Sequence, residues 1–244
     1  MDTKAGSILS RMWAQLARGI ARAAPARCEV CRAWPAQPVC AACEAQFAAT
    51  RHRCRTCALA IPEGVDRCGR CLRTSPPLDA CHAAVSYGYP WSMLVGRFKF
   101  GGEAGWAGTF GDLLLRDPAL RERLAAARWV VPMPLSRERL AQRGFNQAHE
   151  LARRLAPGKA DPGIAVRVRD TASQADLDHD SRQANVRRAF VLEPARAAAV
   201  RGQRVLLVDD VMTTGASLFA LAQVFREAGA AEVAAAVFAR TEDT

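Results

Sequence analysis

Apolar and polar positions along this chain follow different periods in three successive stretches. From Met1 to about Arg27 the apolar residues Ile8, Leu9, Met12, Trp13, Leu16 and Ile20 are spaced, with Arg11, Arg18 and Arg22 between them. That spacing predicts an amphipathic helix with one apolar stripe, to be covered by the protein itself, a membrane surface or a partner. It lacks the unbroken apolar run and small-residue cleavage site of a secretory signal. Residues 28–75 hold few large apolar side chains. From residue 78 the pattern becomes that of an α/β domain with a parallel sheet. Strands are predicted at 83–88, 128–133, 164–169, 205–210 and 233–239, and helices at 91–100, 105–115, 118–126, Gly144–Leu155, 181–189 and Ala216–Ala228. Ser75, Pro76 and Pro77 form a stiff break. The expected organisation is therefore an N-terminal helix (1–27), a small module (28–75) and an α/β domain (78–244).

The small module draws its interest from cysteine. Eight of the nine cysteines form four Cys-x-x-Cys pairs: Cys28/Cys31, Cys40/Cys43, Cys54/Cys57 and Cys68/Cys71. Two thiolates with two residues between them can occupy neighbouring vertices of a tetrahedron, and two such pairs close a four-cysteine zinc site. Sequential and interleaved groupings of the pairs are both open. A disulfide framework needs an oxidising compartment, and no export signal supports one. A segment so poor in large apolar residues needs metal to fold, so two structural Zn2+ sites are expected, each with no open position for catalysis.

Composition adds only a little. Half of the residues are hydrophobic and a quarter charged, as in a soluble globular protein, and 34 basic against 24 acidic residues give a formal charge of +10. That excess favours polyanions without choosing among nucleic acid, phosphorylated metabolites and anionic lipid. No apolar run is long enough for a transmembrane helix, and a cytoplasmic location is expected. Arg51, Arg53, Arg55, Arg67, Arg70 and Arg73 surround the later cysteine pairs. Such an array suits a nucleic-acid-binding ribbon, and it equally suits the balancing of thiolate charge. Cys81 and His82 read as the start of a buried strand, and His149 as a surface or core residue.

The richest stretch is Val205–Ser217. An apolar run, VLLV, ends in Asp209 and Asp210, and Val211, Met212, Thr213, Thr214, Gly215, Ala216 and Ser217 follow. Ligands of open parallel sheets bind at the carboxyl ends of strands, where this pair of carboxylates falls. The loop then enters a helix N-terminus, whose amides and neighbouring hydroxyls can converge on a phosphate. Gly215 lets the backbone approach a ligand closely. Two acids beside a phosphate cradle suit a ligand with both hydroxyls and a phosphate, a ribose 5-phosphate. A Walker B strand is the rival pattern, but the chain has no G-x-x-x-x-G-K-[ST] loop to accompany it.

This stretch resembles the 5-phosphoribosyl-1-pyrophosphate (PRPP) motif of type I phosphoribosyltransferases. With the cysteine pairs, Phe98-Lys99-Phe100, Val131-Pro132-Met133-Pro134, Arg143-Gly144-Phe145-Asn146-Gln147 and the run from Thr171, Ser173, Gln174 and Leu177 through Arg182, Asn185, Arg187 and Phe190, the chain resembles the ComF family. The resemblance implies a type I phosphoribosyltransferase-like parallel-sheet domain preceded by a double zinc ribbon. It implies PRPP with Mg2+, Asp209 and Asp210 as the catalytic pair, and pyrophosphate held near Val131, Pro132 and Met133. Lys99, Arg143 and the arginines at 137, 139, 182 and 187 are further anion-binding candidates. Two functions follow from it: phosphoribosyl transfer to an acceptor that the sequence leaves unnamed, and non-catalytic binding of single-stranded DNA in DNA uptake alongside competence-machinery proteins.

Overall fold

The computed structural model describes residues 26–168 and 189–242. The apolar stripe of Ile8–Ile20, the helix expected at 181–189 save its last residue, and Thr171, Ser173, Gln174, Leu177, Arg182, Asn185 and Arg187 lie outside the described residues. In chain order the helices are α1 (Ala41–Phe47), α2 (Gly69–Arg73), α3 (Trp91–Phe100), α4 (Trp106–Leu114), α5 (Pro118–Ala126), α6 (Arg137–Arg143), α7 (Gln147–Leu155), α8 (Pro194–Ala197) and α9 (Ala216–Glu227). The strands are β1 (Ala80–Ser86), β2 (Trp129–Pro132), β3 (Ala165–Arg167), β4 (Phe190–Leu192), β5 (Arg204–Met212) and β6 (Glu232–Arg240). Among the described residues no helix is long and apolar enough to cross a membrane.

The chain divides into two compact units between Ala49 and Thr50, and the Ser75–Pro77 break falls inside the second of them. The first unit contains one four-cysteine group. Ala26 bridges Ala36, the Arg32 amide closes a turn onto the Cys28 carbonyl (2.9 Å) with Arg32 at φ +65°, and Cys40 stands at the head of α1. The second unit repeats this arrangement. Arg53 bridges Ala60, the Ala58 amide turns back onto the Cys54 carbonyl (2.8 Å) with Ala58 at φ +55°, and Cys68 heads α2. One ribbon design thus occurs twice, each time as a knuckle followed by a short helix.

The main sheet is parallel, in the order β1-β6-β5-β2, with Val208 beside Pro132 and Asp209 beside Val237. β5 and β6 are central and apolar on both faces, as parallel strands covered on two sides must be. One face carries Phe238, stacked on Phe110 of α4 at 3.8 Å and edge-on to Trp91 of α3 at 5.6 Å. The other face packs Val205, Leu207, Val233, Ala235 and Val237 with Leu221 and Phe225 of α9 and with Phe190. Cys54, Cys57, Cys68 and Cys71 belong to this same buried cluster, so the second ribbon contributes to the core of the sheet unit. β3 and β4 form a separate antiparallel pair.

Most expected elements are present, with three differences. The basic stretch ahead of Gly144 is helical: Ser136 caps α6 by accepting the Arg139 amide (3.3 Å), and arginine is a good helix former. Gly144 ends that helix at φ +76° instead of opening the next one, and Asn146 caps α7. β4 and α8 are not legible as periodic segments because each is only three or four residues long.

Candidate functional site

β5 carries its two carboxylates to the carboxyl edge of the sheet, on opposite faces of the strand. Asp210 continues the side of Leu206 and Val208 and is only 5% exposed. Burying a carboxylate that deeply requires a partner, and Lys99 near the end of α3 supplies it, Nζ to Oδ1 at 3.0 Å. Asp209 is half-buried and accepts the Asp210 amide through Oδ1 at 2.9 Å. Desolvation raises the Asp209 carboxyl to about 7, and the neighbouring Asp210 charge pushes the same way. Lys99, the Asp210 amide and Arg143 oppose the rise. The folded protein thus holds a proton that the unfolded chain releases near pH ~4. This carboxyl contributes stability that is full below about pH 4 and lost as pH rises through about 7.

The loop beyond β5 is short and tightly held. Thr213 and Thr214 are exposed, and the Thr214 hydroxyl accepts the Ala216 amide at 3.3 Å. Gly215 is buried at φ +85° ahead of α9. A Cβ there would stand 2.4 Å from Cε of Met212 and 2.6 Å from Cζ of Phe219. The left-handed backbone favours glycine, and any side chain there would also have to push Met212 and Phe219 aside. Met212 faces the core with its carbonyl bonded to the Thr241 amide (3.0 Å), whereas Ser217 and Ala216 are half-buried in the first turn of α9.

Opposite this loop, β2 ends in Val131 and Pro132 and Met133 follows it, all three buried. Pro132 and Pro134 have no N–H, and the Met133 amide donates to the Val208 carbonyl at 2.8 Å. The amides that can face a ligand here begin at Leu135. The Arg143–Gln147 segment braces this corner. Asn146 Nδ2 donates to the Met133 carbonyl (3.0 Å), Phe145 packs on Phe98 with centroids 5.6 Å apart, and buried Gln147 donates to the Phe98 carbonyl (3.4 Å). Gln147 also accepts from Arg143 at 3.0 Å, which aims the guanidinium over the Phe100 ring at 5.4 Å and places its charge within reach of Asp209. The structure therefore gathers Asp209, Asp210, Lys99 and Arg143 into one constellation. Phe100, 77% exposed, forms part of its rim. Neither Arg137 nor Arg139 joins this constellation by a side-chain bond among the described residues.

Each ribbon brings its four sulfurs to within 4.8 Å of one another, grouping the pairs sequentially: Cys28, Cys31, Cys40 and Cys43, then Cys54, Cys57, Cys68 and Cys71. Sulfurs about 2.3 Å from a tetrahedral zinc are about 3.8 Å apart, whereas a disulfide needs about 2.05 Å. The separations of 3.8 Å (Cys28–Cys43) and 3.6 Å (Cys31–Cys40 and Cys57–Cys68) fit the tetrahedron. Backbone amides already point at the sulfurs, that of Cys40 lying 3.3 Å from Cys28 Sγ. Such donors offset the desolvation that would raise the Cys28 thiol, and bring it down to about 6. Both groups fit zinc ribbons and could each hold a metal ion.

The arginines around the second group divide in two. Arg53 is turned inward, bonded to the Ala58 carbonyl (2.9 Å), Ser86 Oγ (3.1 Å) and Glu242 (3.2 Å), and Arg67 holds Thr56 Oγ1 (3.1 Å). Arg51, Arg55 and Arg73 are exposed. Cys81 and His82 do lie in β1, and burial pushes the Cys81 thiol up to about 12, an inert group. His82 pairs with Asp117 at 2.6 Å. His149 is half-buried on α7, and its Nδ1 has no partner among the described residues.

A parallel sheet with paired acids and a glycine-closed loop at the carboxyl end of a central strand defines a phosphoribosyltransferase-type domain, and residues 140–244 match the model of the phosphoribosyl transferase domain. Similarity extends across both ribbons as well. The DNA utilization protein YhgH of Salmonella typhimurium is 34% identical over 226 residues, covering 89% of this chain and 98% of that protein. Competence protein F of Haemophilus influenzae is 31% identical over 80% of this chain and 87% of its own length. Competence protein ComFC of Bacillus subtilis is 28% identical over 81% of each. The chain belongs to the ComF family.

Proposed function

We propose that this chain binds PRPP, or a closely related ribose 5-phosphate, at the carboxyl ends of β2 and β5. The observation that carries the reading is the ionic arrangement of the site: two adjacent acids, one held by Lys99 and the other titrating near neutrality, beside a loop closed by a left-handed glycine. Thr213, Thr214 and the amides and hydroxyl of Gly215, Ala216 and Ser217 hold the 5-phosphate. Asp209 and Asp210 accept from the ribose hydroxyls, and Val211 lines the floor of the site. Lys99, Arg143 and the backbone after Val131, Pro132 and Met133 receive the pyrophosphate, for which guanidinium and ammonium groups suit phosphate oxygens. Mg2+ would neutralise the pyrophosphate, held mainly by the ligand's own oxygens. A transfer at this site works by positioning and by stabilising the leaving group while positive charge builds on the ribose ring. The ribbons hold two structural Zn2+ ions.

Ionised Asp209 accepts from the ribose hydroxyls more strongly, and with both oxygens, than the protonated acid, so affinity follows its titration. PRPP with Mg2+ is expected to raise the melting temperature by several degrees at pH 8, where ligand at a hundredfold excess over Kd contributes about 2.7 kcal/mol. At pH 6 the shift is expected to shrink. An equal shift at both values, read by thermal fluorescence, contradicts this role for Asp209.

A second reading is favoured by the relatives named for competence and DNA utilization, together with the +10 charge and the exposed Arg51, Arg55 and Arg73. In it the protein binds single-stranded DNA in DNA uptake, with competence-machinery proteins as partners. Affinity for a thymidine oligonucleotide is then expected to fall steeply with salt and to weaken when Arg51 and Arg55 are neutralised. A flat salt response removes this reading. Replacing Arg53 would not test it cleanly, since its guanidinium is occupied inside the protein.

A further inference from the structure

Arg240, the last residue of β6, is 0% exposed and makes no salt bridge to a carboxylate among the described residues. Its Nε donates to the Cys57 carbonyl at 3.0 Å, and its Nη1 donates to the Thr241 carbonyl and to the Met212 carbonyl at 3.5 Å. Nη2 has no acceptor among the described residues. A buried cation with only neutral acceptors is costly unless an opposite charge lies close by. The second four-cysteine group supplies one: four thiolates around a divalent ion carry two net negative charges. Arg240 reaches this group directly, through its bond to the carbonyl of Cys57, one of the four cysteines.

The same arginine reaches the phosphate loop through Met212. That residue offers its carbonyl to Arg240, sets its sulfur 3.8 Å from Cys81 Sγ, and places its methyl against Gly215, where a Cβ would come within 2.4 Å. A second connection is independent of it. Arg70 lies on α2, the helix that Cys68 heads, and its Nη2 reaches the Thr214 carbonyl at 3.5 Å.

We propose that Arg240 is a positioning residue that couples the second four-cysteine centre to the phosphate loop, serving as the internal counter-charge of the metal-bound thiolates while fixing Met212 and, through it, Gly215. The inference rests on the PRPP reading of that loop. It makes the ribbon in the sheet unit a requirement for ligand binding, beyond a requirement for folding. By linkage, the ligand in turn strengthens metal retention in that ribbon.

The test uses the full chain loaded with two equivalents of Zn2+, and reads metal release to a chromogenic chelator with and without PRPP. A Cys31→Ser variant assigns the equivalents to their groups. PRPP is expected to slow release from the second group about tenfold and to leave the first unaffected. Arg240→Met is expected to speed release from the second group, weaken PRPP about tenfold in calorimetry and abolish the slowing, with Arg240→Lys recovering part of each. Slowing of neither group, or of both alike, overturns the proposal, as does a folded Arg240→Met protein that keeps wild-type affinity. Should Arg240→Met not fold by circular dichroism, Arg70→Gln at the surface takes its place: both metals retained with PRPP weakened several-fold supports the coupling, and unchanged affinity overturns it. Absence of any PRPP binding to the wild type defeats the ligand assignment instead. The counter-charge role is then judged by release from Arg240→Met, or from Arg240→Lys if the methionine variant does not fold, and an unchanged rate overturns it.

Discussion

Replacing Cys57 and Cys71 with serine is expected to unfold the sheet unit, whereas the same change at Cys28 and Cys31 leaves that unit's unfolding midpoint in urea unchanged. Both pairs are ligands in equivalent ribbons, so chemistry alone predicts no difference. Their surroundings differ. Cys57 and Cys71 lie in one buried cluster with Val131, Leu207, Met212 and Leu218, while Cys28 and Cys31 belong to the separate compact unit that ends at Ala49. Binding of a structural zinc is worth about 10–16 kcal/mol in small ribbons, comparable to the about 5–15 kcal/mol that holds a whole domain together. In the variant, the two remaining thiols, Cys54 and Cys68, and two serine hydroxyls are left buried in the core without the ion that would satisfy them. Trp91, Trp106 and Trp129 all belong to the sheet unit and report its unfolding by fluorescence. Equal midpoints for the two double variants would show that the second ribbon is an appendage.

Lys99→Met is expected to destabilise the ligand-free protein by about 3–5 kcal/mol, the usual cost of stranding a buried charge. The ammonium is 3.0 Å from the Asp210 carboxylate, whose side chain is almost wholly enclosed. Methionine fills the same volume, so the loss reports charge and not packing. A second effect follows at Asp209. Lys99 is the largest of the influences holding that carboxyl down, and its removal moves the titration above about 7. The pH at which PRPP binding reaches half its maximum therefore moves upward, a change that loss of stability alone would not produce. A variant with unchanged urea midpoint and unchanged pH profile would show that the Lys99–Asp210 contact is incidental.

The phosphate loop was legible because its signal is local. An apolar strand that ends in two acids, followed within five residues by Gly215, specifies both a sheet edge and a left-handed turn. The cysteine pairs were equally plain, but their sequential grouping is a matter of three-dimensional approach that spacing does not determine. Placement of the second ribbon escaped for a related reason. Few large apolar residues lie in 50–75, yet Cys54, Cys57 and Ala58 are wholly buried, and small side chains and sulfur make a core without looking like one. Within the site, Lys99 and Arg143 entered through resemblance. Only the structure shows what fixes them, namely Asp210 for the first and Gln147 for the second. Arg240 carried a faint signal of its own, a single charge at the end of the apolar strand VAAAVFA, but Glu242 and Asp243 follow it closely in sequence, and only the structure shows that Glu242 bonds Arg53 instead. Helix α6 was not among the expected elements because its arginines, polar on every face, leave no apolar stripe to mark a helix.

The most direct test of the central claim is calorimetric titration of PRPP with Mg2+ into the zinc-loaded wild type and into an Asp209→Ala/Asp210→Ala variant. The account predicts saturable binding to the wild type at one site per chain, and its loss in a variant that remains folded. Equal binding by both proteins, or none by the folded wild type, would contradict it.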